Sequence, residues 1–159
     1  MTRLYGRIIG GERLKEAVPG GRWNTTSIIS SIRVNGSYEC MTVEGATDGE
    51  IFRIYINEIL CPSLTEGDFV IMDNLSSHKV SGIREAIERT GAFLFYLPPY
   101  SPDLNPIEKM WSKIKASIRK AKARSSESLA EAISDAFRSV TPKDSLGWFE
   151  SCGYVLIQS

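Results

Sequence analysis

The sequence has no excess of charge of either sign, few cysteines and no long apolar run. Its 159 residues include 19 Lys and Arg against 19 Asp and Glu, which argues against a protein that coats nucleic acid through bulk positive charge. The three cysteines form no C-x-x-C pair, so neither a disulfide framework nor a zinc knuckle is indicated. No apolar run approaches the roughly 18 residues of a membrane helix. We therefore expect a cytoplasmic protein with no membrane partner.

The order of the predicted elements is typical of one α/β domain. With 42% hydrophobic and 24% charged residues, the composition also fits one globular domain. The turn signal Asn35-Gly36 lies between β-branched segments at Thr25–Val34 and Ser37–Val43 and predicts a β-hairpin. The other predicted elements are a strand at Arg13–Val18, a helix from Asp48 to Leu60 behind the capping box Thr47–Glu50, strands at Phe69–Met72 and Phe93–Leu97, and helices at Ser81–Thr90, Pro106–Lys122 and Ser126–Ser139.

Asp73 directly follows the apolar run Phe69–Met72, which predicts a buried central strand. Open α/β sheets place their ligand sites at the carboxyl ends of their strands, so this aspartate is a candidate ligand. Asn74 and Asp73 are both residues that favour turns. A second interpretation is therefore open, in which the pair only ends the strand.

A proline-rich loop from Leu97 to Asn105 leads to Glu108, on the first turn of the next predicted helix. Pro106 and Glu108 suit a helix start by themselves, but that explanation does not account for the whole proline run. Two carboxylates brought together from a strand end and a helix start repel each other, and a divalent cation with oxygen ligands relieves that repulsion. Magnesium or manganese is the expected ion.

These segments together resemble the catalytic core of the DDE transposases of bacterial insertion sequences and their mariner-like relatives. The resemblance rests on Asp73-Asn74 followed by His78-Lys79, on the run from Leu97 to Glu108 and on Trp111, and it extends to Glu44-Gly45-Ala46 and Cys152-Gly153-Tyr154. Between Asp73 and Glu108 lie 34 residues, the spacing of the second and third carboxylates in that group.

The resemblance implies a ribonuclease H-like mixed sheet flanked by helices and DNA transposition by the intact protein. Asp73 and Glu108 would be catalytic metal ligands in a two-metal site that cleaves phosphodiesters and transfers strands. Asn74 and His78 would orient the carboxylate or a phosphate. For His78 a second interpretation is open, a residue bonded to local backbone near a helix start. A homodimer acting on DNA in the nucleoid of a prokaryote is also implied.

The sequence departs from the family at the first aspartate, which ends the first strand in those enzymes. Asp48 belongs to a predicted capping box, and Asp68 begins the strand that Asp73 follows, about 16 Å away at 3.3 Å per residue. Neither of them is therefore expected to share a metal with Asp73. The remaining acidic residues ahead of Asp73 include the poorer matches Glu12, Glu16, Glu39 and Glu44, and an unusual glutamate replacement stays open.

This departure predicts an N-terminally incomplete catalytic domain over residues 1–159, without its first central strand and without the helix-turn-helix region that reads element ends. We expect this chain alone not to cut DNA. The alternative is a non-catalytic DNA-binding or dimerising fragment that modulates a full-length transposase.

Lysines and arginines concentrate between Lys109 and Arg124, a segment without acidic residues. On a helix, Lys115 and Arg119 would follow Glu108 along one flank of the apolar stripe, so we expect them to bind DNA phosphates. The basic residues nearer the helix end suit the helix dipole instead. Trp111 lies on the apolar stripe and is expected to pack in the core.

Overall fold

The computed structural model describes residues 25–154, so the strand expected at Arg13–Val18 lies outside the described residues. Within them the fold is mixed α/β, with two small sheets flanked by helices. Backbone contacts divide the described chain into two compact units, one of residues 110–140 and one of residues 25–109 and 141–154. None of the described helices combines the length and apolar character that a membrane crossing needs.

The predicted hairpin is confirmed. Strand β1 (Thr26–Ile32) pairs antiparallel with β2 (Tyr38–Glu44), and Ile32 lies opposite Tyr38. The turn between them contains Gly36 with a φ of 87°, a left-handed conformation that glycine adopts without steric cost. The side-chain oxygen of Asn35 accepts a hydrogen bond from the Ser37 N–H at 2.9 Å, as asparagine does in turns.

Helix α1 (Gly49–Tyr55) is shorter than predicted, and its cap is a different residue. Oδ1 of Asp48 accepts hydrogen bonds from the N–H groups of Glu50 and Ile51, so Asp48 and not Thr47 is the N-cap. The chain then continues as a π-helix (Ile56–Leu60) and a 3-10 turn. The widened turns keep the apolar side chains of this segment buried, which explains why its periodicity predicted one helix to Leu60.

Strands β3 (Phe69–Met72) and β4 (Phe93–Tyr96) form a parallel pair. Helix α2 (Ile83–Arg89) connects them, and Gly91 follows it with a φ of 85°, a left-handed conformation that glycine commonly adopts just after a helix end. One face of the pair packs into a core that the hairpin, α1, the π-helix and α2 share; its most deeply buried members include Tyr55, Ile56, Ile83 and Ile87.

The prediction that both strands are buried is wrong for one face of this sheet. Phe69 is 68% exposed, and Phe93 and Phe95 are each 52% exposed. The rings of Phe93 and Phe95 each stack on that of Phe69, with centroid distances of 5.4 and 5.7 Å. An apolar run shows that a strand has two apolar faces, but it does not show that both faces are covered.

The predicted helices of the second unit are confirmed. Helix α3 (Pro106–Ala121) begins in the sheet-containing unit and continues through the helical unit, where α4 (Ser126–Arg138) follows it. The ring of Trp111 meets that of Phe137 edge to face at 6.0 Å. This contact confirms a packing role for Trp111.

Helix α5 (Pro142–Ser151) was not predicted. Thr141 and Asp144 form a capping box at its start, and Pro142 occupies its first turn. The hydroxyl of the buried Ser145 donates to the backbone oxygen of Arg33 at 2.6 Å and joins this helix to the end of β1.

Candidate metal and DNA site

Parallel pairing of β3 with β4 brings the carboxyl ends of both strands to one edge of the sheet. Asp73 follows β3 directly, and at this edge the Leu97 N–H donates to the Met72 oxygen at 2.8 Å, one step beyond the ladder. The Asp73 side chain is 37% exposed. The predicted position of Asp73 at a strand end is therefore what the structure shows.

One oxygen of the Asp73 carboxylate carries its protein contacts. Oδ1 lies 2.6 Å from Nδ1 of His78 and accepts from the Leu75 N–H at 3.3 Å. Within residues 25–154, no hydrogen bond or ion pair engages Oδ2. Among the described residues, the carboxylate is thus held through one oxygen, and its second oxygen has no partner.

His78 is fixed on three sides within a 3-10 turn (Ser76–Lys79). Its ring stacks on that of Phe52, with centroids 4.1 Å apart and planes at 25°. Its backbone oxygen accepts from the Tyr96 hydroxyl at 2.8 Å. The short approach of Nδ1 to Asp73 has the distance of an ion pair but not the angle of a hydrogen bond. The side chain therefore faces the carboxylate, whereas its backbone N–H bonds locally to Leu75.

Asn74 contributes a buried acceptor. Its Oδ1 is shielded from solvent and has no hydrogen-bond partner among the described residues. Leaving such an amide oxygen unpaired costs about 1 to 3 kcal/mol. A polar atom in this state beside Asp73 is a candidate contact for an ion, a water molecule or a donor from outside the described residues.

Glu108 is the third residue of α3 and is exposed. Its N–H donates to the oxygen of Asn105, a buried residue that ends the proline loop. A 3-10 turn (Pro102–Leu104) shapes this loop, and the Tyr154 hydroxyl supports it by donating to the Leu104 oxygen at 2.8 Å. Glu108 and Asp73 belong to the same compact unit.

Lys115 and Arg119 lie on α3 in the helical unit, and both are exposed. Neighbouring Lys113 differs from them, because its ammonium donates to the Ser139 oxygen at 2.7 Å within that unit. The described residues thus leave Lys115 and Arg119 accessible to a polyanion, as their predicted role requires.

Sequence reasoning missed two aromatic residues that position the site. Phe52 lies 26 positions before His78, and Tyr96 lies 18 positions after it. The sequence contained one signal for Tyr96, its position at the end of the predicted strand Phe93–Leu97. Nothing in the helical pattern of α1 distinguished the buried Phe52 from its apolar neighbours.

A comparison with models of protein families shows the family to which the chain belongs. A sequence profile described as DDE superfamily endonuclease matches residues 1–130. The chain belongs to this family. The matched range includes Asp73, Glu108 and the loop between β4 and α3, and α5 lies beyond it. No curated protein matches the chain at a significant level.

DDE endonucleases act on DNA and generally use divalent metal ions, so the donor set of this member can be tested against that requirement. Asp73 and Glu108 supply two carboxylates, and Asn74 supplies an unpaired amide oxygen. Yet no three His, Cys, Asp or Glu residues within 25–154 form a group that could hold a metal. The described residues alone do not complete such a site.

The two other aspartates ahead of Asp73 have separate structural roles. Asp48 caps α1. Asp68 forms a bidentate pair with Arg33, at 2.6 and 3.0 Å, and also accepts from the N–H and hydroxyl of Thr65. Hydrogen bonding from the Arg33 guanidinium holds the pKa of the Asp68 carboxyl well below its usual range. Both carboxylates are thus engaged in structural contacts and are not available as a metal ligand beside Asp73.

Proposed function

We propose that the intact protein is a DNA transposase of the bacterial insertion-sequence, mariner-like type, which cleaves phosphodiesters and transfers strands with Mg²⁺ or Mn²⁺. The observation that carries this proposal is the state of Asp73, a strand-end carboxylate of which one oxygen is held by His78 and Leu75 and the other has no partner within residues 25–154. Its place in a DDE endonuclease supports the same conclusion.

In this proposal Asp73 and Glu108 are two of the catalytic metal ligands. His78 contacts Oδ1 of Asp73 and thereby fixes the orientation of the carboxylate, so that Oδ2 would be the oxygen that binds metal. Asn74 offers its unpaired amide oxygen to a water or a phosphate-bound cation beside them. Bound metal would supply activation of the attacking oxygen and stabilisation of the leaving oxygen.

We further propose that the 159-residue chain is inactive alone, because its sequence has no match to the family's first aspartate and residues 25–154 contain no group of three potential metal ligands. The sheets support the same idea. In residues 25–154, β1 pairs only with β2 and β3 only with β4, so β1 and β3 each have an open edge. A ribonuclease H-like sheet would place its central strand between those two edges.

The Arg33–Asp68 pair supports a gap between β1 and β3 that is one strand wide. Arg33 directly follows β1, and Asp68 directly precedes β3. Two strands on either side of a third lie roughly 10 Å apart, a distance that a long arginine side chain and an aspartate can bridge. The pair at 2.6 Å would then close one end of the gap in which the proposed central strand lies.

The test compares this chain with a version extended upstream. The DNA before the Met1 codon is translated in all three frames, and any apolar strand ending in aspartate is joined to the chain. With a supercoiled plasmid carrying the element ends and Mg²⁺, the extended protein should nick DNA and the 159-residue chain should not. Asp73→Asn and Glu108→Gln should each abolish nicking.

Two exposed carboxylates of α4 provide the matched controls. Asp135→Asn and Glu127→Gln remove the same groups from the helical unit, and both variants should keep nicking. Nicking by the 159-residue chain that Asp73→Ala abolishes would contradict the proposed inactivity. An extended protein that never nicks would contradict the transposase proposal itself.

A second candidate function follows from the accessible Lys115 and Arg119 together with the incomplete donor set. In it the chain is a DNA-binding or dimerising fragment that modulates a full-length transposase at the nucleoid. Expression of the chain beside the extended protein should then lower the transposition frequency. The Lys115→Ala and Arg119→Ala double variant should restore that frequency, and a frequency insensitive to the chain would exclude this role.

A further inference from the structure

Lys79 places an exposed ammonium group at the carboxyl edge of the β3–β4 sheet. It ends the 3-10 turn that begins at Ser76 and directly follows His78, whose ring contacts Asp73. Its Nζ lies 5.5 Å from the centre of the Tyr96 ring, a distance typical of a cation–π contact. No acidic side chain within residues 25–154 pairs with it.

The ring beneath Lys79 is itself fixed. The Tyr96 hydroxyl donates to the His78 oxygen, and Arg84 lies over the same ring at 5.5 Å. The charge of Arg84 is already engaged, because its guanidinium bonds to Glu88 at 2.9 Å and to the Leu94 oxygen at 3.3 Å. Lys79 is therefore the cation of this cluster whose charge is left for an outside partner.

We propose that Lys79 binds a phosphate of the DNA strand whose scissile bond is presented to Asp73. This inference rests on the proposed function, which supplies DNA as the substrate. A strand that approaches a carboxylate site meets repulsion between its phosphates and the carboxylates, and a cation held beside the site offsets that repulsion. The tyrosine face and the short turn hold the ammonium in place before DNA arrives, so little side-chain freedom is lost on binding.

The test measures the binding of the 159-residue chain to a short fluorescent DNA duplex by anisotropy between 50 and 200 mM salt. Each lysine–phosphate contact adds about 0.9 to the slope of log affinity against log salt concentration. The ratio of the DNA affinity of the wild type to that of Lys79→Gln should therefore be about 3.5-fold larger at 50 mM salt than at 200 mM salt. Lys79→Arg keeps the charge and should keep the slope.

Lys143→Gln is the matched control, because it removes one exposed lysine from the same compact unit. Its slope should equal that of the wild type. Lys79→Met, which keeps the aliphatic stem over Tyr96, should lose the same slope as Lys79→Gln, and circular dichroism should show both variants folded.

Two outcomes separate this inference from the proposed function. Equal slopes for the wild type, Lys79→Gln and Lys79→Met would overturn the contact with phosphate and leave DNA binding by the chain intact. A wild-type chain that binds no DNA at 50 mM salt would instead contradict the DNA-binding function, and the role of Lys79 with it.

Discussion

The Nδ1 atom of His78 lies 2.6 Å from Oδ1 of Asp73, while the face of the same ring stacks on Phe52 at 4.1 Å. The imidazole is thus clamped between a core aromatic ring and the carboxylate. Because both contacts come from one rigid ring, a shift of α1, which carries Phe52, would be transmitted to Asp73. The His78 ring thus connects the core to the candidate site.

Removal of this clamp should weaken metal binding without removing a ligand. We expect His78→Ala in the extended protein to raise the Mg²⁺ concentration for half-maximal nicking, or to lower the nicking rate, by about 10- to 100-fold. Ser76→Ala changes the same turn at an exposed position and should leave both quantities unchanged. A Mg²⁺ titration of plasmid nicking measures the effect, and superimposed curves for His78→Ala and the wild type would rule out the positioning role.

Replacement of Asn74 should lower activity without lowering stability. Its buried Oδ1 is unpaired among the described residues, so Asn74→Ala removes a desolvated polar atom and should leave the free energy of unfolding unchanged or raise it by up to about 1 kcal/mol. Nicking by the extended protein should fall nevertheless. Urea unfolding and the plasmid assay measure the two quantities, and a loss of more than about 2 kcal/mol would mean that the side chain is structural.

Local patterns in the sequence predicted the elements that position the site. The run Phe69–Met72 gave the bounds of β3 as the structure has them, and the apolar stripe of α3 predicted its start at Pro106. Both signals are short-range, because periodicity and helix caps act within a few residues. The strand-end position of Asp73 and the first-turn position of Glu108 followed from these bounds alone.

Contacts between distant segments were beyond such patterns. The stacking of Phe52 on His78 and the pair of Arg33 with Asp68 each join residues more than twenty positions apart. Helix α5 was missed for another reason, since its residues form no clear apolar stripe and its start depends on the cap of Thr141. Tertiary packing decided the two long-range contacts, for which one sequence contains no direct signal. The capping box at Thr141 is a local signal, but without an apolar stripe behind it the helix was not predicted.

The Arg33–Asp68 pair should stabilise the fold by more than an ordinary surface pair. Asp68→Ala removes two charge-assisted hydrogen bonds to Arg33 and two bonds to Thr65, and should cost about 1 to 3 kcal/mol of unfolding free energy. Asp135→Ala breaks the exposed pair with Arg138 and should cost at most about 1 kcal/mol. Urea denaturation compares the two, and equal losses would mean that the Asp68 pair has no special role.

The same pair predicts a pH dependence. Because Arg33 lowers the pKa of Asp68 in the folded state, the unfolded chain takes up the proton first as pH falls. The stabilisation from Asp68 is therefore complete well above its unfolded pKa of about 4 and declines below it. The difference in unfolding free energy between the wild type and Asp68→Asn should be constant from pH 6 to 8 and shrink toward pH 3. A gap that widens on acidification would contradict this assignment.

The exposed cations of α3 lead to a prediction about DNA binding. If Lys115 and Arg119 each contact a phosphate, their double replacement by alanine should lower the salt slope by about 1.8, so that the affinity ratio to wild type changes about 12-fold between 50 and 200 mM salt. Replacement of Lys120 and Arg124 by alanine removes the same charge from the same helical unit. These two residues suit the helix end, so their variant should keep nearly the wild-type slope. Equal slopes for the two double variants would show that net charge, and not these two positions, governs binding.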